Sequence, residues 1–300
     1  IFLVVPMVGN NIIRATGDTF RPGMIMVAAS ILNIVLDPFL IFGWGPFPEM
    51  GLKGAALATV IARAFGMMIT VWILVFNERL LRFYIPRFSK MLGTWRKILY
   101  VSGPAALGMM VTPLSMAIIT RLISTFGKEA VAGLGVATRL ESLGMLIIHA
   151  LASVMTIYGG QNWGAGEKGR LRSGIKISSI FSLMWGLFLF VAGLIFAEPI
   201  ARIFSDDPLV IAVTANYMKI VSLSYCFLGI MMICLSMMNG INKPMYAMLV
   251  TSTRMFVLYV PFAFLLSSLM GLNGIFWAAF GANILAGLTG LGFLWKKLKD

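Results

Sequence analysis

The sequence predicts an all-α polytopic membrane protein, and three observations carry that prediction. Hydrophobic residues make up 59% of the 300 and charged residues 12%, with a mean hydropathy of +0.93; an ordinary soluble domain carries about 25% charge. Apolar runs such as 24–42 and 177–196 contain no pair of opposite charges, and each reaches the roughly 20 residues a helix needs to cross about 30 Å of hydrocarbon. Basic residues gather at alternate ends of these runs, the pattern that orients spanning helices.

Cutting the chain at its Gly, Pro and charge clusters gives the end of one helix at 1–12 and eight full spans. The first full span, near 22–43, follows the turn Arg14-Ala15-Thr16-Gly17-Asp18-Thr19-Phe20-Arg21-Pro22, whose proline suits the first turn of a helix. The next, near 54–76, opens at Gly51-Leu52-Lys53-Gly54 and ends in a basic stretch. The span near 98–125 contains Pro104 and Pro113, which are expected to bend it, and a bend that differs between states would open and close a cavity. The span near 130–157 carries Arg139, Glu141 and His149, and the one near 173–196 follows the cluster Lys168, Arg170, Arg172, Lys176. Cys226 and Cys234 both fall in the apolar run near 209–237, so they read as packing residues and offer no disulfide framework or metal pair. Lys243-Pro244 precedes the span near 245–268, and Gly271-Leu272-Asn273-Gly274 opens the last, near 272–295.

Counting Lys and Arg in alternate connections places 16 on one side and three on the other, Lys53, Lys128 and Arg202. Loops rich in Lys and Arg stay cytoplasmic, so the expected location is the cell membrane, inner or plasma, with the C-terminus cytoplasmic. The formal charge of +13 is accounted for by this asymmetry. A nucleic-acid partner would require a basic face on a soluble module, and none is present.

Two short matches recur about 220 residues apart: GLKG at 51–54 with GLNG at 271–274, and RATGDTFRP at 14–22 with MNGINKP at 238–244. An even number of spans separates them, so the halves are parallel and related by an axis along the membrane normal. The expectation is two pseudo-symmetric six-helix lobes with the first truncated: 1–76 the C-terminal part of the first lobe, 77–97 a basic cytoplasmic linker, and 98–300 a complete second lobe. The chain starts at Ile1 within an apolar run, with no basic leader and no cleavage site. Roughly 130 residues, three helices and most of a fourth, are expected ahead of it, and the chain alone is not expected to transport.

RATGDTFRP, the stretch Leu32-Asn33-Ile34-Val35-Leu36-Asp37-Pro38, GLKGAALATVIA at 51–62, Ala137-Thr138-Arg139-Leu140-Glu141-Ser142 and Gly160-Gln161-Asn162-Trp163-Gly164-Ala165-Gly166 together resemble the multidrug and toxic compound extrusion (MATE) family. The resemblance spans essentially the whole chain. It implies two lobes facing each other in a V, alternating access, and export of cationic or lipophilic compounds against inward flow of Na⁺ or H⁺.

Asp37 is the most informative side chain, because a carboxylate within a span costs about 2.5–3.5 kcal/mol and is seldom kept without a purpose; it is expected to bind an ion, the alternative being a structural carboxylate near the outer interface paired with a neighbour. Asn33 lies one turn earlier on the same face, and Pro38 can free a backbone carbonyl. These oxygens suit a hard cation, and the carboxylate alone can take a proton. The resemblance places the matching Asn and Asp in a first-lobe cation site, completed by an acid on a helix outside this sequence, and adds Thr59, Asn10 and Asn11 as further polar positions near it. In the second lobe, Glu141 is the other acid within a span. Arg139 is two residues away, on a different side of the helix, so each is expected to find its partner elsewhere, for charge neutralisation or for handling substrate or protons. Thr112 stands where the sodium-coupled branch of the family carries an acid. His149, the only histidine, is either a hydrogen-bonded packing residue or a proton relay.

The function these features imply is secondary active antiport of small organic substrates against H⁺ or Na⁺, by a monomer in the bilayer, with no cofactor beyond the coupling ion and no metal site. The alternative transport reading is a lipid-linked precursor or polysaccharide flippase, which would draw on the deep basic residues Arg63, Arg121, Arg139 and Arg254. A membrane enzyme would need a catalytic set such as HExxH or paired aspartates, and the sequence has none, so no catalytic residues are assigned.

Overall fold

The computed structural model describes residues 1–45, 47–80 and 88–299, and these are helices and turns. α1 (Val4–Ala15) is a 12-residue helix, too short to span alone. α2 (Phe20–Ile41) and α3 (Leu52–Trp72, prolonged by a π-helical turn at Ile73–Asn77) follow. Then come α4 (Phe88–Ser124), α5 (Lys128–Gly144), α6 (Leu146–Gly164) and α7 (Lys168–Phe204). α8 (Pro208–Val221) runs on into α9 (Tyr225–Gly240), and α10 (Pro244–Ser252) into α11 (Val260–Met270) through a π-helical stretch at Thr253–Tyr259; α12 (Leu272–Lys299) closes the chain. Among the described residues, seven continuous helical segments are long and apolar enough to cross a membrane, and α5 with α6, bent by 50° at their junction, supplies an eighth. The basic linker expected at 77–97 is helical from Phe88 onward, and its residues 81–87 lie outside the described residues.

Local chemistry sets the boundaries. Asp207 caps α8 by accepting from the Leu209 amide at 2.8 Å, with Pro208 at the first position. Pro261 has no N–H for the preceding turn and its ring crowds a carbonyl there, which accounts for the wider π winding just before it. The expected span at 130–157 proves to be two helices. At the break, the Trp185 indole Nε1 of α7 donates to the Gly144 carbonyl at 2.9 Å.

The chain forms two compact units, Ile1–Phe88 and Ser89–Asp300. In the first, α2 and α3 form an antiparallel hairpin. A Cβ at Gly54 would collide with the Leu40 carbonyl, whereas Gly66 sits at ordinary contact distance from Ala29, 3.6 Å. Ile13, Ile25, Ile73 and Leu74 make its small core. Arg21 bonds both Asp18 (3.2 Å) and Glu78 (3.0 Å), tying the α1–α2 turn to the end of α3.

In the second unit 67% of an apolar 18-residue stretch of Pro208–Gly240 is buried, against 22% of the corresponding stretch of Lys168–Phe204, so α8 and α9 form the inner span and α7 lies outside. Tyr225, Met231, Ile148 and Phe276 pack in the core around them. Close approach is allowed by small residues: a Cβ on Gly240 of α9 would meet the Thr156 carbonyl of α6, and one on Gly274 the Leu266 carbonyl of α11. The outer face of α7 shows Ile177, Met184, Leu187 and Ile195 to the surroundings, an apolar band that hydrocarbon rather than water satisfies. Cys226 and Cys234 are both buried.

Candidate functional site

In the first unit, α2 presents Asn33 and Asp37 on one face. The Asn33 amide nitrogen donates to Asp37 Oδ1 at 3.4 Å, and both side chains are half-buried. Pro38 sits inside α2 without ending it. Gly54 against Leu40 and Gly66 against Ala29 fix the pairing of α2 with α3, and that pairing brings Thr59 to the level of Asp37. Its hydroxyl, however, donates back to the Ala55 carbonyl at 2.9 Å, so Thr59 offers its oxygen lone pairs there and not its proton.

Asn10 and Asn11 are elsewhere. Asn10 is buried and accepts at Oδ1 from the Thr70 hydroxyl, 3.1 Å away. Thr70 lies 11 residues beyond Thr59 on α3, about 16 Å along the axis at 1.5 Å per residue. Asn11 is exposed beside it, and both line a separate first-unit cavity of ≈ 560 Å³ that also receives Arg14 and Arg63. The structure therefore pairs Asn33 with Asp37, carries Thr59 on the neighbouring helix, and leaves the two asparagines of α1 out of that pair.

The second unit contains a partly open cavity of ≈ 530 Å³ at whose wall a polar cluster converges from α5, α8, the π stretch and α12. Glu141 Oε2 accepts from the hydroxyls of Tyr217 (2.7 Å) and Tyr225 (3.2 Å). Arg254 donates from Nε to Asn283 Oδ1 at 3.0 Å, and Asn283 in turn donates to Ser224 Oγ at 2.8 Å. The partners of Glu141 are thus on other helices, as its spacing from Arg139 required. Thr112 and His149 also line this cavity, with exposed side chains. His149 is not a packed core residue. Arg139 is exposed and absent from the cavity wall, because two residues of helix turn it about 200° from Glu141. A different cation, Arg254, carried by another span, lines the same cavity as Glu141. Arg254 and the hydrogen-bonding residues Tyr217, Tyr225, Ser224 and Asn283 were not among the expected site residues.

A family model described as MatE matches residues 104–265 of the chain, the region that supplies most of this cavity's lining. The chain belongs to the MatE family. Its relatives include the FAD transporter of Shewanella oneidensis, 35% identical over 287 residues, a match covering 96% of this chain and 64% of that protein. The probable multidrug resistance protein NorM of Thermotoga maritima is 30% identical over 261 residues, covering 85% and 54% respectively. Among solved structures, the bent form of the Vibrio cholerae MATE transporter VcmN superposes with a TM-score of 0.85 at 29% identity, covering 96% of this chain and 64% of that one. This MatE chain spans 54% to 64% of the length of these relatives. The family is one of multi-pass membrane transporters, not enzymes, and the resemblance drawn from the motifs is confirmed.

Proposed function

We propose that the whole protein is a secondary active antiporter that exports small organic compounds, cationic or lipophilic, in exchange for H⁺ or Na⁺. It works as a monomer in the cell membrane with its C-terminus in the cytoplasm. The observation that carries this reading is the Asn33–Asp37 pair: a carboxylate within a span whose hydrogen-bond partner, among the described residues, is a neutral amide. Such a carboxylate costs about 2.5–3.5 kcal/mol to hold there, and binding H⁺ or Na⁺ removes that cost. An ion that binds one conformation more tightly than the other shifts their balance, which is how the ion and solute fluxes become coupled. Thr59, at the level of Asp37, offers a further oxygen for Na⁺. The second-unit cavity, ≈ 530 Å³, falls within the 300–1,000 Å³ or so typical of small-molecule sites. Flexible thioethers in its wall, Met109, Met231 and Met248 among them, suit solutes of varied shape.

A second reading of the substrate has one specific support: the relative that is 35% identical is named an FAD transporter. On that reading the exported compound is a flavin dinucleotide.

The test uses the complete gene in a host lacking its own exporters, with ethidium efflux and FAD released to the medium measured side by side. Wild type is compared with Asp37→Asn under imposed H⁺ or Na⁺ gradients. Efflux by wild type and loss in Asp37→Asn supports coupling through Asp37, and the effective gradient names the ion. A mutant that exports as well as wild type removes Asp37 from the mechanism. Release of FAD without ethidium efflux selects the flavin reading.

A further inference from the structure

The second-unit cavity holds two side chains of opposite charge that are not bonded to each other. Glu141 and Arg254 line the same cavity and interact electrostatically, yet no N···O contact of 4.0 Å or less joins them among the described residues. Direct pairing is the ordinary way to lower the cost of two charges in a span. Here each is instead steadied by neutral partners that leave part of it open. Both tyrosine hydroxyls converge on Oε2 of Glu141, so Oε1 has no protein donor among the described residues. Arg254 is anchored through Nε by the Asn283–Ser224 relay, so its two terminal nitrogens have no protein acceptor there either. An arginine held by Nε keeps a rigid outer edge of N–H donors, already oriented.

We propose that this split pair is a recognition site for dipolar solutes. The solute places a positive or hydrogen-donating group toward Glu141 and an anionic or accepting group toward Arg254, its ring lying beside Tyr217 and Tyr259. Zwitterions meet that description, and so do heterocycles whose donor and acceptor edges adjoin. The inference rests on the transporter reading above and adds the class of substrate. A monocation satisfies Glu141 and leaves the guanidinium facing it, and a monoanion does the reverse. Only the dipolar solute answers both, and a site left with an unpaired buried polar group discriminates strongly.

The test sets norfloxacin, a zwitterion, against ethidium, a monocation, in cells carrying the full-length protein, and reads the ratio of the two efflux rates so that expression level cancels. In Arg254→Gln that ratio falls about tenfold, the value of one charge-assisted hydrogen bond, with ethidium efflux rising as the opposing positive charge is removed. Glu141→Gln slows both. An unchanged ratio in Arg254→Gln, whether both rates drop together or neither moves, overturns the proposal. A second measurement needs no variant: the purified full-length protein binds norfloxacin about tenfold more tightly than its ethyl ester, which keeps the ammonium and loses the carboxylate. Equal or tighter binding of the ester overturns the proposal independently of how the variants fold. Failure of the wild type to export norfloxacin, ethidium or FAD rejects the transporter reading itself, a result separable from an unchanged ratio.

Discussion

The indole nitrogen of Trp185 meets the carbonyl oxygen of Gly144 at 2.9 Å, at the point where α5 and α6 turn through 50°. A helix break inside a bilayer must satisfy its backbone from within the protein, since no water is at hand. Trp185 supplies that donor from the neighbouring helix.

Replacing Trp185 by Phe therefore removes one hydrogen bond while keeping a ring beside Phe188, whose centroid lies 5.1 Å away. The expected loss is about 1 kcal/mol, seen as a lower midpoint of thermal unfolding in detergent. An unchanged midpoint would show that another group takes over the carbonyl.

The two donors to Glu141 are not equivalent. The Tyr217 bond is 2.7 Å long and the Tyr225 bond 3.2 Å, and a shorter bond to a carboxylate is a stronger one. Tyr217→Phe is expected to cost about 1.5–3 kcal/mol and Tyr225→Phe less, and the double variant more than either. Denaturation of the three variants in one detergent checks the order.

Gly54 and Gly274 open the two repeats in the same way. A methyl group at either would run into a backbone carbonyl of the preceding helix, Leu40 or Leu266. Ala at either position should destabilise its hairpin by about 1–3 kcal/mol. Gly23, with open space around its Cβ position, is the control, and Gly23→Ala should leave the melting curve of the purified protein where it was.

Asn33→Leu keeps Asp37 and deletes the amide that touches it. The carboxylate then stands without its neutral partner, and efflux by the full-length protein driven by an ion gradient should fall below that of wild type. Efflux equal to wild type would mean that Asn33 does not act through Asp37.

Much of this architecture was legible in the sequence because the bilayer imposes a simple rule: apolar runs of about 20 residues span, and charges mark their ends. The Asn33–Asp37 contact followed from i, i+4 spacing on one helix. The break at Gly144 did not show. Nothing between 128 and 164 is a proline, and the group that satisfies the freed carbonyl sits 41 residues away in the chain. For the same reason the second-unit cluster was only half visible. Helix geometry could say that Arg139 does not serve Glu141, but choosing Arg254, Tyr217 and Tyr225 required knowing which spans are neighbours. Asn10 illustrates the opposite error. It is polar and falls in the right helix, yet its level in the bundle, opposite Thr70, is set by tertiary packing and not by sequence distance from Asp37.

The length of α7 bears on how the protein meets its lipids. Its 37 residues make a rod of about 55 Å, whereas hydrocarbon and headgroups together measure about 40–45 Å. The helix begins with Lys168, Arg170, Arg172 and Lys176, ahead of the apolar run at 177–196, which puts those cations at the level of the headgroups. Each such cation near an anionic leaflet is worth about 1 kcal/mol. Since α7 also holds Trp185 against Gly144, a membrane richer in phosphatidylserine or phosphatidylglycerol would grip the same rod that steadies the bend beside the cavity, making lipid charge a partner in its rigidity.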